Sequence, residues 1–549
     1  MKTLRLLLFL MLGVFQTIQA SQFHVTTTAS SNGNGSSSSP WQLQVALSQS
    51  SLVKPGDIVY IHQGTYYGSF RSDLTGSSTK PIIVRNYGSD RATITTINGW
   101  DDGLQVNGSY VWFWGIEFTS DKSCPLDQPG DGINLGTGDV DGIKVINCVI
   151  HDVTGAGIGC WSPSTNSEIN GCLIYYNGRM EGYSNDAHDY GMYVQNVTSN
   201  KLLKDNIDGY NWSYGAHAYS ESGGVNNITF DGNVFYNAGY PWLGDHQFQA
   251  NFLIGGSAND GVNGDIVRNC HFYYSYAGGI TQGYIVIGCD QEVTNFSMTG
   301  CTFTRGGGNG NDLWNYSGSI TGNTFYGSAS NPPSGNTVQG LPSSGTKVVI
   351  RKNDYELGRA NVIIYNWAHN GSVNVDLSSF LTVNSNYTVR DAQNYYGPVI
   401  LSGTYKGGTV SIPMNNKGIA PVVLASGQSL GAQPFNTQPE FGVFIVTSNS
   451  YVATVSDVPD VKTGYNLEQN YPNPFNPTTC VEYSLQKSEH AKLVVCNILG
   501  QMVYETPYEF QTAGQHAVTI DGSRLASGTY LYTLQTESVR ISKRMVLLK

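Results

Sequence analysis

Two stretches of this 549-residue chain crowd together side chains that can move protons. "YYNGRMEGYSNDAHDYG" (175–191) carries Arg179, Glu181, Asp186, His188, Asp189 and Tyr190, and "YNAGYPWLGDHQFQ" (236–249) carries Trp242, Asp245 and His246. Between them lies "GAHAYS" (215–220), with His217 and Tyr219. Imidazole titrates near neutrality and serves as a general base, and a guanidinium grips a carboxylate through paired hydrogen bonds. Such a set suits β-elimination at a uronic acid. Arg179 would neutralise the carboxylate, His217 or His188 would take the C5 proton, and Tyr219 or Tyr193 would protonate the leaving oxygen. Asp186, Asp189 and Asp245 equally allow hydrolysis between two carboxyl groups. The residue types leave both reactions open.

These loops need a scaffold, and the chain writes one by repetition. "VINCVIHD" (145–152) returns as "INGCLIYYN" (169–177), "KDNIDGYN" (204–211), "FDGNVFYN" (230–237), "VRNCHFYY" (267–274), "MTGCTFTR" (298–305) and "SITGNTFYG" (319–327). One slot of the phrase holds Cys148, Cys172, Asn206, Asn233, Cys270, Cys301 and Asn323, preceded by Ile116, and successive phrases lie 22 to 37 residues apart. Short β-runs repeated at such a spacing predict a solenoid with one supersecondary unit per coil. A slot that accepts Cys or Asn is a stacking position, not half of a disulfide. Buried free thiols are therefore expected there, while Cys480 and Cys496 remain able to pair.

The strand after each loop reads Gly-apolar-x-apolar: "GINL" (132–135), "GIGCW" (157–161), "GMYVQN" (191–196) and "GAHAYS" (215–220). If Met192, Val194, Ala216 and Ala218 face inward, alternation turns Tyr193, Gln195, His217 and Tyr219 outward. Trp161 and Asn134 join that face. His217, between two small inward residues, is expected to project into solvent. Aromatic planes interleaved with amides suit sugar rings, although a tyrosine ladder also stabilises a sheet that binds nothing. Trp242 and Tyr190 would extend the same surface.

Composition bounds the rest. Charged residues are 13% of the chain, Gly numbers 65 and Tyr 35, and the net charge is −11. This profile suits a turn-rich β protein and excludes disorder, nucleic acid and anionic membrane as themes. "MKTLRLLLFLMLGVFQTIQA" (1–20) reads as a secretory signal peptide cleaved near Ala20, and no later stretch is long enough to span a membrane. Asp127, Asp131, Asp139 and Asp141 in "DQPGDGINLGTGDVDG" (127–142), with "GGNGND" (307–312), are possible calcium ligands or solvated acidic turns. No metal is assigned.

The entry segment "PWQLQVALSQSSLVKPGDIVYIHQGTYYGSF" (40–70) resembles the N-terminal cap of the right-handed parallel β-helix, or pectate-lyase-like, superfamily. There a short helix (Gln42–Ser51) precedes the first coil. The resemblance covers residues 22–345 and implies an all-β solenoid of a kind that hosts lyases, hydrolases, epimerases and adhesins. The Lys/Arg catalytic pair of some β-helix lyases has no counterpart on this face. Residues 346–456 alternate in longer runs ("NVIIYNWA", "GTVSIPM") and resemble accessory β-sandwiches of surface glycan enzymes.

The tail, "YNLEQNYPNPFNPTT" (465–479), "LVVCNILGQMVYE" (493–505), "LASGTYLYTLQT" (525–536) and "SKRMVLLK" (542–549), is similar to the immunoglobulin-like sorting domain of type IX secretion. That domain, residues 460–549, implies recognition by the secretion machinery, delivery to the cell surface or medium, and cleavage of the tail. Together these features predict an exported, monomeric polysaccharide-degrading enzyme, a lyase of anionic glycans. Hydrolysis on the same face, or adhesive glycan binding without turnover, are the alternatives.

Overall fold

The computed structural model describes residues 20–549 except 31, 99–100, 125–129, 137, 179–189, 221–222, 240–249, 258–260, 276–284, 305–311, 314, 328–331, 425–429, 431–433, 449–465, 468, 471, 486–488, 498–500, 512–513 and 537–539. The proposed signal peptide, save Ala20, and the "GGNGND" stretch up to Gly310 and Asn311 lie outside the described residues. The chain forms two compact units, divided between Ala453 and Thr454.

The repeated phrase is one corner of a coil. In the coil containing Cys148, strand Lys144–Ile146 turns into Val149–His151, and a longer connection leads to Ile158–Cys160. Coil upon coil, these strands build three parallel sheets with thirteen, eleven and nine strands among the described residues. The residue just before the stacking slot takes a left-handed backbone: Asn147 at φ 51°, Gly171 at 66°, Asp205 at 55°, Gly232 at 69° and Asn269 at 55°. Only Gly, Asn and Asp adopt this conformation readily, which is why the phrase keeps those types there. At Gly171 a Cβ would also stand 2.3 Å from the Asn147 Oδ1 of the coil below.

The slot itself is a ladder. The Cys172 and Asn206 backbone N–H groups donate to Asn206 Oδ1 (2.9 Å) and Asn233 Oδ1 (3.0 Å) on the following coils. The Asn206 amide donates to Asn233 Oδ1 as well (2.9 Å). Where Cys fills the slot, its thiol donates to a backbone carbonyl, as Cys172 does to Val145 at 3.4 Å. All nine cysteines are free, Cys480 and Cys496 included. Inside the coils, Phe235, Phe272, Phe303 and Phe325 stack at centroid spacings of 5.4, 4.8 and 4.5 Å. The entry helix is shorter than its sequence pattern, Leu43–Leu47, and Leu43, Ala46 and Leu47 are buried over the open end of the first coils.

Between residues 346 and 448 lie an antiparallel five-stranded sheet, built around Arg359–Asn366 and Phe441–Ser448, and a separate antiparallel strand pair, Ser372–Asp376 with Thr409–Pro413. This sandwich lies flat on the eleven-stranded sheet of the solenoid. Outward Leu173, Ile207, Val234, Tyr236 and Tyr273 share one buried cluster with Ile363, Tyr365, Phe441, Val443 and Ile445. Arg351 bridges Asp205 (2.6 Å) and Asp231 (3.0 Å). Lys144 meets Glu168 at 2.7 Å, and the Tyr355 hydroxyl donates to the same carboxylate at 2.6 Å. A contact of this kind makes the sandwich part of the solenoid's own fold.

The second unit has separate antiparallel sheets and its own core, in which Val481, Leu493, Val495, Tyr532 and Met545 are fully buried. Among the described residues no helix is long and apolar enough to cross a membrane.

Candidate functional site

On the nine-stranded sheet, Gln105, Asn134, Gly159, Tyr193, His217 and Leu253 occupy one register position of successive strands. Met192, Val194, Ala216 and Ala218 lie in the solenoid interior, so this row faces outward as alternation requires. Two positions later along the strands stand Trp161, Gln195 and Tyr219. Three positions earlier stand Asp102, Asp131, Ala156, Tyr190, Tyr214 and Ala250. The second column folds over the first.

Its effect on His217 corrects the expectation of a projecting ring. His217 is only 8% exposed. Its ring stacks on Tyr190 (4.3 Å), Tyr214 (4.9 Å) and Tyr219 (5.3 Å), and Tyr193 flanks it at 5.4 Å. The imidazole is outside the coil but inside a box of four tyrosines. Tyr193 is the more accessible of the pair, half-buried between His217 and Trp161, whose ring lies 4.7 Å away. The Gln195 amide donates to the Tyr193 hydroxyl at 3.2 Å, and Tyr219 donates to Asp290 at 3.1 Å.

The row has a gap at Gly159, and the gap is occupied from the side. A Cβ on Gly159 would sit 2.1 Å from Asp131 Oδ2 and 2.7 Å from the Trp161 indole nitrogen. The missing side chain therefore lets a carboxyl and an indole N–H converge over the strand. Asn134 donates to Asp131 Oδ2 at 3.3 Å, the Ala156 N–H to its Oδ1 at 3.2 Å, and Trp161 also donates to it. Next to it, Asp102 accepts from the Asp131 N–H at 2.9 Å and from the Gln105 amide at 3.2 Å. Burial, reinforced by the charge of Asp102, holds the Asp131 carboxyl well above the usual carboxylate range. Burial raises Asp102 as well. Two such neighbours share protons rather than ionising together.

Asn134, Trp161, Tyr190, Tyr193, Gln195, His217 and Tyr219 are thus brought onto one surface. Arg179, Glu181, Asp186, His188, Asp189, Trp242, Asp245 and His246 lie outside the described residues. Of the acidic turn, Asp127 lies outside the described residues, and Asp131, Asp139 and Asp141 do not gather. Asp131 serves the Gly159 gap, whereas Asp141 is held by Tyr110, by Thr165 (2.8 Å) and by Asn166 (2.7 Å), and Asp139 is exposed. Among the described residues no three His, Cys, Asp or Glu side chains come together as metal ligands. Sequence reading passed over Asp102 and Gln105, whose one signal was their place in the same Gly-apolar-x-apolar frame, "DGLQV" (102–106).

The buried acids give a pH signature. Burial raises Asp208 and Asp265 well above normal, as it does Asp131. A raised carboxyl binds more protons folded than unfolded, so its contribution to stability falls as pH rises above about 4. Burial disfavours the His151 cation, but hydrogen bonds to Asp152 and Glu117 raise it to about 9, so its stabilisation is full below about 6.5 and lost through 9. Burial also opposes Glu117, yet Arg91 and His151 hold it at about 2, and its contribution is lost only in strong acid. Above about pH 6.5 these contributions run one way, whereas that of His271, which burial lowers to about 3, opposes them as pH falls below about 6.5. The melting temperature is expected to rise as pH drops from about 9 to about 7. A melting temperature that increases with pH over that window would refute these protonation states.

A family model described as "Right handed beta helix region" matches residues 82–259, and one described as "Secretion system C-terminal sorting domain" matches residues 469–548. No curated protein matches the chain. Among solved structures it is similar to pectate lyase Pel9A, at 17% identity and a TM-score of 0.42 over 59% of this chain and 80% of that one. It is similar also to an alginate lyase from Paenibacillus sp. str. FPU-7, at 21% identity and a TM-score of 0.37 over 55% and 96%. A rhamnogalacturonan lyase shares 13% identity at a TM-score of 0.26 over 50% and 87%. The chain is a right-handed parallel β-helix protein that carries a C-terminal sorting domain of the type IX secretion system, and so is exported to the cell surface or the medium.

Proposed function

We propose that the protein degrades a uronic-acid-containing polysaccharide by β-elimination on the face around Gly159. The observation that carries this reading is the Asp131 carboxyl, which lies over the gap at Gly159 among N–H donors and is held above the usual carboxylate range by burial. A neutral carboxyl can share its proton with a substrate carboxylate, and the Asn134 amide and Trp161 indole can add hydrogen bonds to it. Charge withdrawn from that carboxylate makes the neighbouring C5 proton more acidic.

His217 accepts that proton, the released electron pair forms the C4–C5 double bond, and the C4–oxygen bond breaks. Tyr193 then gives the leaving oxygen its proton. The rings of Trp161 and Tyr193 offer stacking planes to the flanking sugars.

The test is a screen of the mature protein on alginate, pectate, glycosaminoglycan and neutral glycans. Ultraviolet absorbance from an unsaturated product is followed beside the release of reducing ends. Absorbance and reducing ends appearing together on a uronate polymer are expected. Reducing ends without absorbance would replace elimination by hydrolysis, with Asp102 and Asp131 as the carboxyl pair. Neither signal on any glycan would leave a face that binds without turnover.

A further inference from the structure

The eleven-stranded sheet changes character along the solenoid. At one outward position of its strands Val149, Leu173, Ile207 and Val234 follow one another, an apolar run under the sandwich. On the three coils before that the outward residues are threonines, Tyr67 and Glu117. Thr65 pairs with Thr93, and Tyr67 with Thr95 and then Thr119. The step between the two regimes is a cleft of about 520 Å³, with these threonines as floor and Lys122 and Val423 at its edges. That volume is typical of small-ligand sites.

One wall is fixed by a buried ionic network. Arg91 makes paired hydrogen bonds to Glu117 (2.7 and 2.6 Å), and Glu117 also meets His151 at 2.9 Å. His151 holds Asp152 at 2.7 Å, and Asp152 accepts from the Val423 N–H at 2.8 Å. Arg91 is nonetheless half-exposed and lies 3.7 Å over the ring of Tyr396. Tyr67 is 64% exposed and Lys122 is exposed. Such a wall needs no reorganisation to present its cation.

We propose that this cleft is a second saccharide-binding site, which takes a short run of an acidic glycan without cleaving it. The threonine hydroxyls repeat at the strand spacing of about 4.8 Å, close to the length of one sugar in an extended chain. They can hydrogen-bond successive sugars, Tyr67 can stack on a ring face, and Lys122 with Arg91 can hold a carboxylate. The site lies on a different sheet from Gly159. Its occupancy requires binding alone and does not depend on which reaction, if any, the other face performs.

Calorimetric titration of the mature full-length protein with oligomers of galacturonic, guluronic and glucuronic acid reads this directly. Trp161→Ala removes one stacking plane of the other face, and the part of the surviving binding that then responds to substitutions in the cleft belongs to the cleft. Adding Lys122→Glu to it is expected to weaken the surviving binding by about tenfold or more at unchanged melting temperature. Thr119→Val, which keeps the shape and removes a hydroxyl, is expected to weaken it by less. The proposal is overturned if Trp161→Ala binds none of the oligomers, or if neither added substitution changes the affinity. It is overturned equally if a neutral xylan oligomer binds as well as the acidic ones.

Discussion

Removing residues 454–549 is expected to leave a folded protein that its native host no longer delivers to the surface. The division falls between two units that each possess a core. The tail closes its own sheets around Tyr483, Leu493 and Tyr532, and its strands pair with one another. The solenoid and sandwich keep their shared cluster and ionic contacts when the tail is gone. The truncated protein should therefore melt within about 0.5 kcal/mol of the intact first unit, as expected for a change that touches no core contact. Export is a different matter, because residues 469–548 are the segment matched to sorting domains. Immunoblots of fractionated cells should find the truncated protein in the periplasm and the full chain on the surface or in the medium. Equal surface recovery of both would show that the tail is not the export signal.

The coil was readable in the sequence because two of its demands restrict residue type. A left-handed turn accepts Asn, Gly or Asp, as at Asn147, Gly171 and Asp205, and the slot behind it must present a small or amide group to its neighbours. Both constraints recur once per coil, so they print a phrase. The outward row was readable for a related reason: alternation fixes the faces of Tyr193 and His217 once Met192 and Ala216 are inward. What folds over that row was not. Tyr190 and Tyr214 precede their strands by two residues, where no alternation holds; the stacking of coils brings Tyr190 against His217, and the turn into its own strand brings Tyr214 there. The Asp131 carboxyl over Gly159 is hidden in the same way, since it depends on a side chain that is missing from the next coil. The docked sandwich did leave a trace. Val149, Leu173, Ile207 and Val234 form an apolar column at outward positions, which a solvent-facing sheet would not carry.

Tyr193→Phe is expected to lower turnover by about 100-fold or more at nearly unchanged stability. The substitution keeps the ring, and with it the contacts to Trp161 (4.7 Å), Tyr190 (5.4 Å) and His217 (5.4 Å). It removes one hydroxyl from a half-buried side chain and with it the hydrogen bond from Gln195. Such a bond contributes about 1 kcal/mol at most of net stability, so the melting temperature should scarcely move. The proton the leaving oxygen needs would have no donor, and the loss should fall on kcat rather than KM, because the stacking surface is intact. His217→Ala cannot make this distinction. Emptying the space among four tyrosine rings leaves a cavity, and a loss of about 2 kcal/mol or more is expected whether or not the imidazole handles a proton. A Tyr193→Phe protein that cleaves at the wild-type rate would remove Tyr193 from the chemistry and leave it as a stacking plane. A variant with lower kcat, unchanged KM and an unchanged melting curve would identify the hydroxyl as the proton donor.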